Sequence, residues 1–244
     1  MTVTLAVAGD VATLRLDRPE RGNALGPDMV AALDEGFAQA IAGGARLVVL
    51  RGAGRHFCTG FDLSDLDDLS EGDLLLRFVR IEALLQRVHG AGVTTLAVAT
   101  GRTWGAGADL FAACDRRLAF ADASFAFPGS GFGLVLGTAR LAGRIGNEAA
   151  RHLLLEGAAI DVATAIGLGL VDRQVDEATV DGAIAEAARA AGRLDAETVG
   201  ALHRATRRDA QDDADLAALV RSAARPGLKQ RIIDYRARAR ATRS

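Results

Sequence analysis

The chain opens on alternating apolar and polar residues: Val3, Leu5 and Val7, then, past Gly9-Asp10, the segment Val11 to Leu16. Alternation at period two on either side of a turn pair predicts a β-hairpin over Thr2–Ala8 and Val11–Leu16. The spacing then lengthens. After the loop Asp17 to Asn23, Pro27 and Asp28 start a predicted helix whose apolar positions Val30, Leu33, Phe37 and Ile41 recur at helical intervals, and it stops at Gly43-Gly44. Leu47 to Leu50 is apolar throughout, as expected of a strand covered on both faces. A glycine-rich stretch, Gly52 to Gly60, leads to a second helix carrying Leu74, Phe78, Ile81, Leu85 and Val88 on one face and ending at Gly90. The order then repeats, with a buried strand over Val93–Ala99, a glycine-rich turn from Gly101 to Gly107 and a helix from Ala108 to Cys114. Short strands are predicted at Arg116–Ala121 and Ser124–Phe127, and helix from Leu134 onward. Repeated strand, loop and helix put the chain in the α/β class.

Composition changes the picture by exclusion. Half of the 244 residues are hydrophobic and 25% are charged, with 28 Gly, 4 Pro and a net charge of −2. Such a chain buries a sizeable core; it is not a disordered tail, a disulfide scaffold or a collagen-like fibre. Balanced charge gives no electrostatic footprint for nucleic acid or an anionic membrane, so neither partner is expected and recognition should fall to a pocket. Cys58 and Cys114 read as free thiols in a reducing cytoplasm, and neither has the neighbours of a metal site. The start lacks a signal-peptide pattern, and no apolar stretch reaches the roughly 18 residues needed to cross a bilayer. From about Ala185 the chain has many Arg and Asp and few large apolar residues, which predicts peripheral helices suited to subunit contact.

Two predicted strands end in glycine-rich loops, His56 to Leu63 and Trp104 to Asp109. Glycine permits strained dihedrals, and N–H groups at a helix start project into open space with the positive end of the helix dipole behind them. Two such donors converging on one point form an oxyanion hole. Plain tight turns account for the same glycines. A dinucleotide fingerprint would need glycine where Leu110 stands, and no phosphate-binding GxxxxGK[ST] motif occurs.

More specific are five segments taken in order: Leu16 to Leu25, Phe57 to Leu63, Gly101 through Gly105-Ala106-Gly107-Ala108-Asp109-Leu110 to Asp115, Phe125 to Pro128, and Ala165 to Asp172. Together they resemble the crotonase, or enoyl-CoA hydratase/isomerase, superfamily over roughly Val3 to Asp172. The resemblance implies a crotonase-like spiral of ββα units with a C-terminal helical region. It divides into a core at 1–185 holding an acyl-CoA site and a helical oligomerisation region at 186–244. It implies a CoA thioester as substrate with no further cofactor, and a homotrimer or dimer of trimers. By motif position the backbone N–H groups of Phe61 and Ala106 would hold the thioester oxygen. Asp109 would be the catalytic acid/base, and its place near a helix start favours the ionised form. Arg21, Ala24, Phe61, Asp62, Leu63, Ser64, Trp104, Gly107, Pro128 and Gly129 would contact CoA or substrate.

The pattern breaks at Gly129, where family hydratases carry a second glutamate. Hydration uses two carboxylates, one for water and one for the C2 proton. Double-bond isomerisation through Asp109 alone is therefore expected over hydration, the alternative being a catalytically weak or inactive acyl-CoA binder. His56 and His89 read as surface or capping residues, His152 and His203 as ordinary surface positions, and Asp62 as a loop hydrogen-bonder. Trp104 reads as packing or as an acyl-pocket contact. Ser124 and Ser130 have no histidine in matching context for a serine-protease reading of the same spiral.

Overall fold

The computed structural model describes residues 1–206 and 211–241. Its elements run β1 (Val3–Ala8), β2 (Val11–Leu16), α1 (Pro27–Ala42), β3 (Leu47–Gly52), α2 (Glu71–His89), β4 (Thr94–Ala99), β5 (Arg102–Trp104), α3 (Ala106–Ala113), β6 (Arg116–Phe120) and β7 (Ser124–Ala126). There follow α4 (Thr138–Ile145), α5 (Asn147–Glu156), β8 (Ile160–Asp161), α6 (Val162–Leu168), β9 (Arg173–Val175), α7 (Val180–Ala191), α8 (Ala196–Thr206), α9 (Gln211–Ala223) and α10 (Leu228–Ala241).

The expected hairpin forms around Gly9, and beyond it the main sheet is parallel, in the order β1-β2-β3-β4-β6-β9. Parallel strands need crossovers, which the helices between them supply. Leu47, Val48, Val49 and Leu50 of β3 are all buried, as their unbroken apolar run predicts. One sheet face packs on α7 through Leu47, Val49, Leu96 and Val98, while the other belongs to a larger core with Phe37, Ile81 and Phe111. The second helix starts with a reciprocal cap, Ser70 and Asp73 each accepting from the other's backbone N–H.

A second, shorter layer matters most for function. β5, β7 and β8 form a small sheet, and single-residue bridges Cys58–Thr103 and Leu25–Phe61 continue it. Each turn of the chain thus lays one strand in the main sheet and one short extended piece in this layer before its helix.

Three features depart from the sequence expectations. β5 lies inside the expected glycine-rich turn, and α3 begins at Ala106 rather than Ala108. β8 and β9 interrupt the expected helical stretch; with two and three residues they are too short to show alternation. The C-terminal helices are not only peripheral: Leu219, Leu228 and Ile232 join Leu74, Phe78 and Leu134 in a third cluster. Their few apolar side chains share one face among many arginines, which hides the face in composition. Lys229 fastens α10 down, its Nζ donating to the carbonyls of Asp67 at 2.6 Å and Leu69 at 2.9 Å. The boundary expected between 185 and 186 falls inside α7, and residues 207–210 and 242–244 of the expected C-terminal region lie outside the described residues. Among the described residues no helix is long and apolar enough to cross a membrane.

Candidate active site

The two glycine-rich loops are stitched together by backbone. Phe57 N donates to Thr100 O and Trp104 N to Cys58 O, while Leu25 N donates to Gly60 O and Asp62 N to Leu25 O. On the outer side Asn23 holds the first loop. It is wholly buried, its Nδ2 donates to the carbonyls of Ala53 at 2.9 Å and His56 at 2.7 Å, and its Oδ1 accepts from Arg18 N. Asn23 is the one non-glycine with positive φ, at 55°, among the described residues, and asparagine is a side chain that tolerates this region.

Two glycines let the loops interlock. At φ 97° a methyl on Gly60 would lie 2.7 Å from the Trp104 carbonyl oxygen and 3.4 Å from the Ala106 nitrogen. A methyl on Gly107 would overlap the Cys58 carbonyl. Backbone of one loop therefore rests on backbone of the other, and Phe61 and Ala106 become neighbours. Because Gly60 O and Asp62 N both bond to Leu25, the intervening Phe61 N–H turns away from it. Among the described residues neither the Phe61 nor the Ala106 N–H meets a protein acceptor.

Both residues line a mainly apolar cavity of about 100 Å³. Leu63, Asp109, Pro128 and Gly129 line it too, so six of the expected positions share one space. Its wall also includes Phe78, Leu134 and Leu136, and α10 contributes Ile232 and Tyr235. Phe61 stacks on Phe78 with ring centroids 4.3 Å apart, and Tyr235 meets Phe132 edge-on at 5.5 Å.

Asp109 occupies the first turn of α3, and every residue of that helix is buried. Burial pushes its carboxyl well above the usual carboxylate range, with Arg140 pulling it partly back and Glu82 pushing it further. The direction is opposite to the expectation that a helix start would favour the ionised form: for a carboxyl this deeply buried, desolvation exceeds the pull of a short helix dipole. The Asp109 backbone N–H donates to Gly105 O at 3.0 Å, but its carboxyl has no hydrogen-bond partner among the described residues. Gly137 presses its Cα on that carboxyl so closely that a methyl there would overlap Oδ1. At Gly129 the surroundings are open, the nearest atoms to an added methyl being 3.8 Å away on Leu134.

The remaining expected contacts lie off the cavity lining. Arg21 and Ser64 are exposed, and Ala24 is buried in the packing beneath the first loop. Asp62 works as a loop bonder, accepting from Ser64 N at 2.9 Å and facing Arg18 at 3.5 Å. Trp104 packs under Arg102, 4.7 Å from its ring, and donates to Ser124 Oγ. Gly107 serves the interlock.

His56 Nδ1 accepts from Arg102 N, and burial and Arg102 lower its proton affinity. His203 is not an ordinary surface position: it sits 3.3 Å from Asp115, and that bond raises its proton affinity. Both cysteines are free and buried, and burial pushes each thiol up to about 12.

Sequence reasoning missed Glu82 and Arg140. Glu82 is fully buried and Arg140 nearly so, and they pair at 2.5 Å. The signal was present on the second helix, where Glu82 interrupts the apolar face set by Phe78, Ile81 and Leu85.

Comparison with known proteins identifies the family. Residues 7–223 match the enoyl-CoA hydratase/isomerase family. A relative named probable enoyl-CoA hydratase echA6, from Mycobacterium tuberculosis, is 33% identical over 192 residues, covering 78% of this chain and 77% of its own. A crystal structure of an enoyl-CoA hydratase/isomerase family protein from Bordetella parapertussis superposes with a TM-score of 0.93 at 47% identity, covering 96% of this chain and 98% of the other. A second, from Xanthobacter autotrophicus Py2, gives 0.82 at 26% identity, covering 98% of each chain. The α/β, crotonase-like architecture expected from the motifs is the one observed, and the chain belongs to the enoyl-CoA hydratase/isomerase family.

Proposed function

We propose that the protein binds acyl-CoA thioesters and moves a carbon–carbon double bond, with Asp109 as the single proton carrier. The observation that supports this is two backbone N–H donors, free of protein acceptors, beside a cavity in which Asp109 is the one carboxyl among the described lining residues. Ionised Asp109 takes the proton from C2 of a 3-enoyl thioester, and the electron pair moves onto the thioester oxygen. The Phe61 and Ala106 N–H groups hold that oxygen as charge develops. Asp109 returns the proton at C4, and the electrons close the new double bond between C2 and C3. Water is not consumed, so no second carboxylate is required.

Exposed Arg21 and Ser64 are assigned to the CoA arm and phosphates. On the family resemblance we assign a trimer or dimer of trimers, which sedimentation velocity tests. Two buried free thiols support a reducing, cytoplasmic setting.

The test compares 3-enoyl-CoA isomerisation and crotonyl-CoA hydration for the wild type and Asp109→Ala. Isomerisation should exceed hydration and fall by about 100-fold or more in the variant; equal activity in both proteins removes Asp109 from the reaction. Gly129 supports a second reading, a silent acyl-CoA binder. Calorimetric binding in the micromolar range with no turnover of any unsaturated or β-keto thioester would establish that reading instead.

A further inference from the structure

We propose that Arg140 and Glu82, a buried ion pair contributed by two helices packed around Asp109, determine the charge state in which Asp109 meets its substrate. They are positioning residues, and the catalytic consequence rests on the proton-carrier reading above.

The geometry is a matter of three carboxyls and one guanidinium. α2 supplies Glu82, α3 Asp109, α4 Arg140 and α9 Asp215. Arg140 donates to Glu82 Oε2 at 2.5 Å and to Asp215 Oδ2 at 3.3 Å. Each of those carboxylates has a second donor: Gln86 Nε2 reaches Glu82 Oε1 at 2.9 Å, and Gln211 Nε2 reaches Asp215 Oδ1 at 2.6 Å. The Asp109 carboxyl has no such donor among the described residues, and burial makes it hold its proton more tightly.

Arg140 is nevertheless close enough to be felt. The turn of α4 that carries it begins at the Gly137 that lies on the Asp109 carboxyl. Arg140 Nε is buried with no acceptor among the described residues, an arrangement that folded proteins rarely leave unexplained. It forms a reserve donor in the same cluster as a carboxyl without one. When Asp109 gives up its proton, the cluster gains a negative charge that Arg140 favours and Glu82 opposes. On the cavity side the titratable group is Tyr235, and behind Arg140 lies Arg144, which caps the carbonyls of Ala112 and Cys114. Neither adds a carboxylate. Glu82 itself does not line the cavity, so it does not substitute for the acid absent at Gly129.

A purely structural ion pair and an electrostatic one differ in sign. The experiment follows the Asp109 side-chain carboxyl by carbon-13 NMR in aspartate-labelled protein, with Asp109→Asn to assign its signal. The full chain is titrated as wild type, Glu82→Gln and Glu82→Gln/Arg140→Gln. Glu82→Gln keeps a hydrogen-bond acceptor for Arg140 while removing the opposing charge, so Asp109 should titrate at lower pH than in the wild type. The double variant removes the favouring charge too, and Asp109 should titrate at higher pH than in Glu82→Gln. Unchanged titration in folded Glu82→Gln, or a shift to higher pH, overturns the inference. Should the double variant fail to fold, Glu82→Gln decides alone.

The rising limb of the isomerisation rate against pH separates the two proposals. If it moves with the carboxyl, both stand; on the acid side of the midpoint, moving the limb by one pH changes the ionised fraction about tenfold. A carboxyl that titrates at a new pH while the limb stays fixed supports the charge-state inference and removes Asp109 as proton carrier.

Discussion

The cavity is walled on one side by the first turn of α3 and on another by the tight turn Pro128–Phe132, and the two tolerate change very differently. On the α3 side every position is committed: Gly60 rests on the Ala106 backbone, Gly107 on Cys58, and Gly137 on the Asp109 carboxyl. On the Pro128 side, Gly129 has normal backbone angles and no atom within 3.8 Å of where a side chain would begin. One wall fixes the free Phe61 and Ala106 N–H groups and the Asp109 carboxyl in place. The other borders the same cavity with open space. Substitutions on the first wall should therefore only remove function, whereas on the second they can add it.

The largest expected effect breaks the fixed wall. Gly60→Ala drives a methyl into backbone, not into a movable side chain, at a dihedral that L-residues disfavour. Separating the loops should remove one oxyanion donor and lower enolate formation about 100-fold or more. Exchange of the C2 proton of a saturated acyl-CoA in heavy water measures this directly. Exchange at more than a tenth of the wild-type rate would mean that the interlock is not what brings the donors together.

A smaller effect of opposite sign should come from the open wall. Gly129→Glu places a second carboxyl beside the cavity without backbone strain. Crotonyl-CoA hydration should rise about tenfold over the wild type, well short of the 10²–10⁴ that an optimised acid/base gives. Hydration unchanged in a folded variant would show that position 129 does not face the β-carbon.

The smallest effect is on stability. Asp109 holds its proton more tightly in the folded than in the unfolded chain, so between those two affinities the folded state carries more protons. Stability from this group is then greatest in acid and falls as pH rises through the unfolded value towards the folded one. Asp109→Asn removes that loss. Its melting temperature should exceed the wild type's at pH 7, by about 2–4 °C for each kcal/mol recovered, and the gap should close near pH 4. A constant gap across that range would place Asp109 in an environment that leaves its ionisation unaffected.

Much of the scaffold was legible because it rests on local chemistry. Gly9-Asp10 fixes the hairpin, Pro27 and Gly43 bracket α1, and the all-apolar run at Leu47 marks a strand with two covered faces. The motif positions of Phe61, Ala106, Asp109, Pro128 and Gly129 also fell together in one cavity. What escaped depends on partners distant in sequence. β5 and β9 become strands only through neighbours, since three residues carry no period. Glu82 breaks the apolar face of α2 in the sequence, but its partner Arg140, 58 residues away, is brought to it only by the fold. The helix start points the wrong way on the charge of Asp109, because complete burial pulls in the opposite direction and only packing decides between them. Arg21, Ser64 and Trp104 are expected contacts by motif position, but they fall outside the lining.

Lys229 is the single lysine in the chain, and both carbonyls it binds belong to the loop that α10 clamps. Apart from the α-amino group, an amine-selective reagent has one address on this protein, and that address is the latch over the cavity. Its labelling rate therefore serves as a built-in clock for how often the C-terminal helix lifts. A bound acyl chain that packs against Ile232 and Tyr235 should slow that clock, and the slowing can be read by mass spectrometry without following any reaction.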